Sequence, residues 1–266
     1  MCGSNKTVWL WDCSLEGNIG GGDGEFECLA VLNGHEGDVK SVVFAPSRGQ
    51  FGDGDEICLS GSYDNTIRVW AEDAGDWYCA LVLTESHTIW SLALAPGATR
   101  LISGSADASV GIYKLYTVQE RKLVAGEKVQ QTSLTQVGSF DFFIGGWRCQ
   151  HLTLFFGSSS NQGTWKCVGR LTQAHQPEVR SVSYAPVKAG HGRLASCGDV
   201  LQIYREVFDS TSEHPLFVLE ASSTRMNLNA VRWHPRDGSM LATAGDDGRV
   251  RIWAYGKTAA PSAAKA

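Results

Sequence analysis

The sequence predicts an all-β protein made by repeating one unit of about four short strands, and three observations predict it. First, SGSYDNTIRVW (60–70), SGSADASVGIY (103–113) and TAGDDGRVRIW (243–253) end alike, with Asp64, Asp107 and Asp247 each six residues before an aromatic ring at Trp70, Tyr113 or Trp253. CGSNKTVWLW (2–11) and SCGDVLQIY (196–204) are looser copies, with Asn5 before Trp11 and Asp199, one residue short, before Tyr204. Second, a short apolar run closed by Ala-Pro or His-Pro stands upstream of four of these copies. Third, another short run follows each turn strand. Self-similarity of this kind decides architecture before local propensity does.

Each element has a local reason. The upstream runs, Val39–Phe44, Ile89–Leu94, Val179–Tyr184 and Ala230–Trp233, are β-forming and end at a proline that cannot donate to a ladder. SGSYDN is a small-residue strand end entering a turn, where the Asp carboxylate can accept backbone N–H groups that the turn leaves unpaired. Thr66–Trp70 alternates as a strand does. Phe26–Leu32, Trp77–Leu83, Trp165–Leu171 and Leu216–Leu219 supply the last strand of a unit. Four strands per ~40–45 residues, with Gly-His and Trp-Asp signals, mark a β-propeller blade.

Asn33-Gly34-His35 followed by Trp70, with Trp11-Asp12 in the first copy, resembles WD40 repeats. The resemblance implies a buried network of turn Asp, loop His, strand Ser and Trp indole. Its best-preserved set is His35, Ser60, Asp64 and Trp70, with Ser62 as the alternative serine. Asp107, Asp199, Asp247 and Trp253 hold the corresponding places elsewhere. Departures are visible. His87 stands only two residues before Ile89, Tyr113 and Tyr204 replace Trp, and the last repeat has Ser222-Ser223-Thr224-Arg225 where a Gly-His would fall.

Three last strands also carry aromatic-x-Cys: Phe26-Glu27-Cys28, Trp77-Tyr78-Cys79 and Trp165-Lys166-Cys167. With GHEGDVKSVVFAPS (34–47), SYDNTIRVWAEDAGDWYC (62–79) and TIWSLALAP (88–96), these strands resemble the WD40 subunit of the cytosolic iron–sulfur protein assembly machinery. The likeness covers residues 1–113 and 165–255. It implies a seven-bladed WD40 β-propeller. Here four full blades and one partial blade are expected: a partial blade over 1–32, repeats 33–83, 84–171 with an insertion at 114–164, 172–219 and 220–256, then a disordered tail at 257–266. The resemblance thus makes the propeller an incomplete one, short of its first two to three blades. Exposed strand edges and poor coverage of Ile252 and Trp253 are expected in such an arc.

Other features bound the function. The net charge of −5, with an isoelectric point near 5.8, argues against a nucleic-acid surface as main partner. No apolar run approaches the ~20 residues that span a bilayer. Gly17–Gly24 lacks the Lys-Ser/Thr of a phosphate-binding loop and reads as a flexible turn. In the insertion, Gly138–Trp147 and Leu152–Phe156 could form an apolar hairpin around Gly145-Gly146.

The eight cysteines contain no Cys-x-x-Cys pair, so neither a metal nor a cofactor site is expected, Cys149-Gln150-His151 included. Buried free thiols are the expected reading, with Cys58 and Cys197 in inner strands. Ser60, His35 and Asp64 have the residue types of a hydrolase, but they occupy repeat positions and end on a Trp, which favours scaffolding over catalysis. A binding surface remains. The loops into each first strand and the turns before each third strand share one propeller face, where Asp38, Lys40, Tyr63, Trp90, Glu178, Arg180, Arg225 and Asp246 are candidates. The family carries an Arg just before the turn residue of the first copy, and this chain has Ser4. The resemblance implies a non-catalytic adaptor that joins a small acidic subunit, a HEAT-repeat scaffold and apo iron–sulfur clients. It implies a cytoplasmic location extending to the nucleus. An unrelated WD40 scaffold and, last, a propeller hydrolase are the alternatives.

Overall fold

The turn chemistry read from the sequence recurs throughout the computed structural model, which describes residues 4–12, 26–98, 100–117, 162–186, 192–207 and 215–255. Asp64 Oδ1 accepts the Thr66 N–H at 2.9 Å, Asp107 Oδ1 that of Ser109 at 3.0 Å, Asp247 Oδ1 that of Arg249 at 3.2 Å and Asn5 Oδ1 that of Thr7 at 3.4 Å. The residue between acceptor and donor takes the left-handed conformation each time: Lys6, Asn65, Ala108 and Gly248 have φ of 64°, 64°, 64° and 71°. A short side-chain acceptor two residues back stabilises that bend. The copy at Asp199 is one residue short, and Val200 does not adopt it. A β-branched residue disfavours positive φ.

These turns link strands into five antiparallel sheets, with no helix among the described residues. The first holds β1 (Thr7–Asp12) and β2 (Glu27–Asn33). The second runs β3 (Val39–Pro46), β4 (Glu56–Ser62), β5 (Thr66–Asp73), β6 (Asp76–Thr84). The third runs β7 (Ile89–Leu94), β8 (Arg100–Ser105), β9 (Val110–Tyr116), β10 (Thr164–Leu171). The fourth runs β11 (Ser181–Tyr184), β12 (Arg193–Cys197), β13 (Leu201–Val207), β14 (Leu216–Ser222). The fifth has β15 (Leu228–Trp233), β16 (Met240–Gly245) and β17 (Val250–Ala254). This is the all-β, sheet-per-repeat architecture of a WD40 β-propeller.

The core lies between sheets. Four clusters each join one sheet to the next. In every one, two aliphatic residues of a third strand meet the aromatic ring of the following repeat. The sets are Val8 and Leu10 with Trp70, Ile67 and Val69 with Tyr113, Val110 and Ile112 with Tyr204, and Leu201 and Ile203 with Trp253. First strands adjoin one another along the series β3, β7, β11, β15. A serine on each crosses to the next: Ser41 Oγ accepts the Leu92 N–H (3.0 Å), Ser91 Oγ that of Val182 (3.2 Å) and Ser181 Oγ that of Val231 (3.3 Å). The aligned residue in the fifth sheet is Ala230.

Two expectations need correction. Cys28 and Cys167 are exposed rather than buried, because they face outward on the last strands β2 and β10. Cys58 and Cys197 are buried, in the second strands β4 and β12. Trp253 is half-covered: its indole N–H donates to Thr243 Oγ1 at 2.9 Å, which folds the ring onto its own sheet, whereas Ile252 is 69% exposed. The Gly17–Gly24 loop, the apolar runs of the insertion, Cys149 and His151, and the 257–266 tail lie outside the described residues.

Candidate binding face

The end of the fold that presents the first-strand loops is built on a hydrogen-bond relay. In the second sheet, the Trp70 indole N–H donates to Ser60 Oγ at 2.8 Å and Ser60 lies 2.7 Å from His35 Nε2. His35 Nδ1 lies 2.8 Å from the Asp64 carboxylate, which therefore holds the proton on Nδ1. Asp64 also accepts the Thr66 hydroxyl at 2.6 Å and the Glu36 N–H at 2.9 Å. Ser60 is fully buried and His35 is 6% exposed. Ser62 does different work: its hydroxyl donates to the Gly37 carbonyl at 3.0 Å. Burial holds the His35 imidazole below its usual range. Burial pushes the Asp64 carboxyl up, but hydrogen bonds from Thr66, Glu36 and His35 outweigh it and leave the carboxyl below its ordinary value.

The other sheets vary this relay. In the fourth sheet His175 lies 2.7 Å from Ser196 Oγ and 3.2 Å from Asp199 Oδ1, with Tyr204 in place of Trp. His175 was not among the sequence candidates, yet it stands four residues before Val179 as His35 does before Val39. In the third sheet the shortened loop leaves His87 exposed and 3.8 Å from Asp107. There Glu85 takes over: it accepts the Tyr113 hydroxyl and pairs with Arg170, whose guanidinium also donates to Ser109 Oγ at 2.9 Å. Glu85 and Arg170 are substitutes that a search for Gly-His cannot find. In the fifth sheet Asp247 pairs with Arg251.

Above these relays the partner candidates form two groups. Lys40 pairs with Asp38 at 3.1 Å and lies 4.5 Å over the Tyr63 ring, and Tyr63 meets Trp90 edge-on at 5.0 Å between centroids. Arg180 pairs with Glu178 at 3.1 Å, donates to Asn229 Oδ1 at 2.7 Å and lies 3.5 Å from Asp246, which also accepts from Asn229. Arg225 is exposed on the loop preceding Asn229. The backbone explains the arrangement. The registers of β3, β7 and β15 shift at Lys40, Trp90 and Asn229, and such bulges re-aim a side chain. Asn229 occupies the Lys40–Trp90–Arg180 column and was missed because it is neither charged nor aromatic. Tyr63 is 42% exposed and Trp90 is half-buried, so aromatic surface with flanking ionic pairs is open to a partner.

Comparison with known proteins matches residues 26–71, 77–114 and 213–254 to the family described as WD domain, G-beta repeat. These three stretches are WD40 repeats. Its similarity to the curated protein named "Probable cytosolic iron-sulfur protein assembly protein 1" of Neurospora crassa is 26% identity over 95% of this chain and 62% of the relative. The protein of the same name from Botryotinia fuckeliana is 30% identical over 95% of this chain and 59% of the relative. A "WD repeat-containing protein WDS homolog" of Arabidopsis thaliana is 27% identical over 98% of this chain and 45% of the relative. The resemblance read from the aromatic-x-Cys strands is thereby borne out at the level of WD40 subfamily. The WD40 chain spans about three fifths of the length of the assembly proteins it matches.

Proposed function

We propose that this WD40 chain is a non-catalytic adaptor in cytosolic iron–sulfur protein assembly, binding partner subunits and apo client proteins through the loop face. The observation that carries the reading is the Lys40–Tyr63–Trp90 group beside the Arg180–Asn229–Asp246 group: partly open aromatic and ionic surface on a rigid base. Tyr, Trp and Arg anchors of this kind dominate interface energetics. The names of its relatives supply the process and the cytosolic location. The hydrolase alternative fares poorly on geometry. Ser60 has the Ser-His-Asp connectivity of a nucleophile, but its hydroxyl is sealed under the Trp70 indole, where a substrate carbonyl cannot reach it.

By resemblance, the partners are a small acidic subunit and a HEAT-repeat scaffold. An affinity-tagged chain should recover these and iron–sulfur proteins from cytosolic extract. Tyr63→Ala with Arg180→Glu should reduce that recovery at least about tenfold, since each removes an anchor of the hot-spot kind. Recovery of ubiquitin-ligase or coat subunits instead would favour a generic WD40 scaffold in another complex. Unchanged recovery by the double variant would move the partner site off this face.

A further inference from the structure

A second candidate site lies at the end of the fold opposite the loop face. The first strands β7, β11 and β15 each run out into a proline: Pro96, Pro186 and Pro235. Those three rings, with Tyr184, Trp233 and His234, line a cavity of about 360 Å³. Three consecutive sheets contribute to it. Tyr184 and Trp233 pack toward the preceding sheet, in the clusters that join the third sheet to the fourth and the fourth to the fifth. The cavity therefore lies inside the series of sheets and owes nothing to either end of it. Trp233 is held in place by Tyr255, which meets it edge-on at 6.0 Å between centroids. Prolines and packed aromatic rings have little freedom left to lose, so the walls are set before anything binds.

The hydrogen-bonding groups of these walls are one-sided. The Trp233 indole N–H is buried and has no acceptor among the described residues. The side chain is only 5% exposed, so an acceptor meets that N–H only by entering the cavity. A buried donor left unmet is costly. His234 Nδ1 accepts the backbone N–H groups of Arg236 at 3.2 Å and Asp237 at 2.9 Å, which puts the proton of the neutral ring on Nε2. His234 is exposed, so its Nε2–H is a second donor. The Tyr184 hydroxyl is spent, donating to Glu206 Oε2 at 2.8 Å. The backbone N–H groups of Ala185, Trp233 and His234 go to Arg193 O, Ser183 Oγ and Met240 O, and the prolines have none.

Two ring N–H donors between apolar walls call for a chain rich in carbonyl acceptors and poor in N–H groups. A polyproline II segment is such a chain: its carbonyls make no internal hydrogen bond, and every proline removes a donor. We propose that this cavity binds an extended proline-containing segment of a partner protein, with a proline ring against Tyr184 and Trp233 and a backbone carbonyl on the Trp233 N–H. Proline-rich segments dock in aromatic-lined grooves in this way. The site is separate from the loop face and stands whether or not that face binds assembly partners.

The probe is a fluorescein-labelled Ala-Pro-Pro repeat peptide, with an Ala-Gly-Ser repeat of equal length as control, titrated with the whole 266-residue chain. Fluorescence anisotropy should saturate for the proline peptide and not for the control. Trp233→Phe keeps an aromatic wall and removes the donor, and should weaken binding about tenfold, the effect of one hydrogen bond. His234→Asn keeps an acceptor for the turn and drops the Nε2–H, and should weaken binding as well. If Trp233→Phe lowers the melting temperature, the exposed His234 position carries the mutational arm alone. In protein with isotope-labelled tryptophan, the peptide should move the indole N–H resonance that Trp233→Phe deletes. A proline peptide that does not saturate overturns the proposal. So does a control that binds equally, or an affinity unchanged in both variants. Pro261→Ala should leave peptide binding as it is; tighter binding in that variant would make this chain's own tail the occupant and overturn the partner assignment.

Discussion

At the scale of single residues, Asp64 and Asp107 look alike in sequence and differ in what depends on them. Asp64 accepts from Thr66 twice, from the Glu36 backbone and from His35, inside a relay that ends on a buried indole. Asp107 accepts from Ser109 twice, while its cationic neighbour Arg170 is already paired with Glu85. Asp64→Ala therefore strands a buried imidazole and should cost about 1–3 kcal/mol, the range for leaving a buried partner unpaired. Asp107→Ala should cost less. Urea midpoints compare the two, and equal shifts would count against the relay.

The same relay sets an acid response. His35 and His175 are both held below their ordinary 6.5 by burial, so the unfolded chain takes up the proton first as pH falls below about 6.5. Stability is thus full above that value and declines through the lowered folded pKa. Asp64, also depressed, adds its own loss only as pH falls below its ordinary 3.8. The urea midpoint of the parent should fall between pH 7.5 and 5.5, and His35→Asn with His175→Asn should flatten that decline while lowering the midpoint throughout. A parent midpoint that is level over this window contradicts the burial argument.

At the scale of strands and sheets, the serines that stitch β3 to β7, β7 to β11 and β11 to β15 carry a falsifiable energy. Each accepts an N–H from the next first strand, so Ser91→Ala leaves the Val182 N–H without that acceptor and should cost roughly 1 kcal/mol. Ser41→Ala and Ser181→Ala should behave alike. Ala230→Ser, at the same repeat position but with no following first strand beside it among the described residues, should stay within about 0.5 kcal/mol of the parent. Chemical denaturation of the four variants decides this, and a stabilising Ala230→Ser would show a partner strand not yet accounted for. This scale also shows what the sequence makes legible. The Asp turns, the proline-ended first strands and the aromatic-x-Cys last strands are visible because each is a local pattern repeated at fixed spacing. Glu85, Arg170 and Asn229 are not, because their roles come from side chains that meet across sheets: Arg170 reaches Glu85 from 85 residues away.

At the scale of the whole molecule, the repeat itself separates the thiols. Cys28, Cys79 and Cys167 hold one position on the last strands of three different sheets, and Cys58 and Cys197 lie on the second strands of two different sheets. A unit repeated once per blade cannot bring its own copies together, whereas a cluster or a structural zinc needs several ligands within one coordination sphere. Among the described residues no group of three or more His, Cys, Asp or Glu side chains converges. The chemistry points the same way. Burial pushes the Cys197 thiol up to about 12, and metals bind the thiolate. The adaptor role proposed for this chain does not require it to hold a cluster. Protein purified anaerobically should therefore contain well under one iron or zinc per chain by elemental analysis and show no visible absorption from a cluster. The sharpest challenge comes from Cys149 and His151, the one close Cys/His pair in the sequence. A chromophore near one cluster per chain that disappears in Cys149→Ser, while the far-ultraviolet spectrum stays unchanged, would make this chain a cluster carrier rather than a pure adaptor.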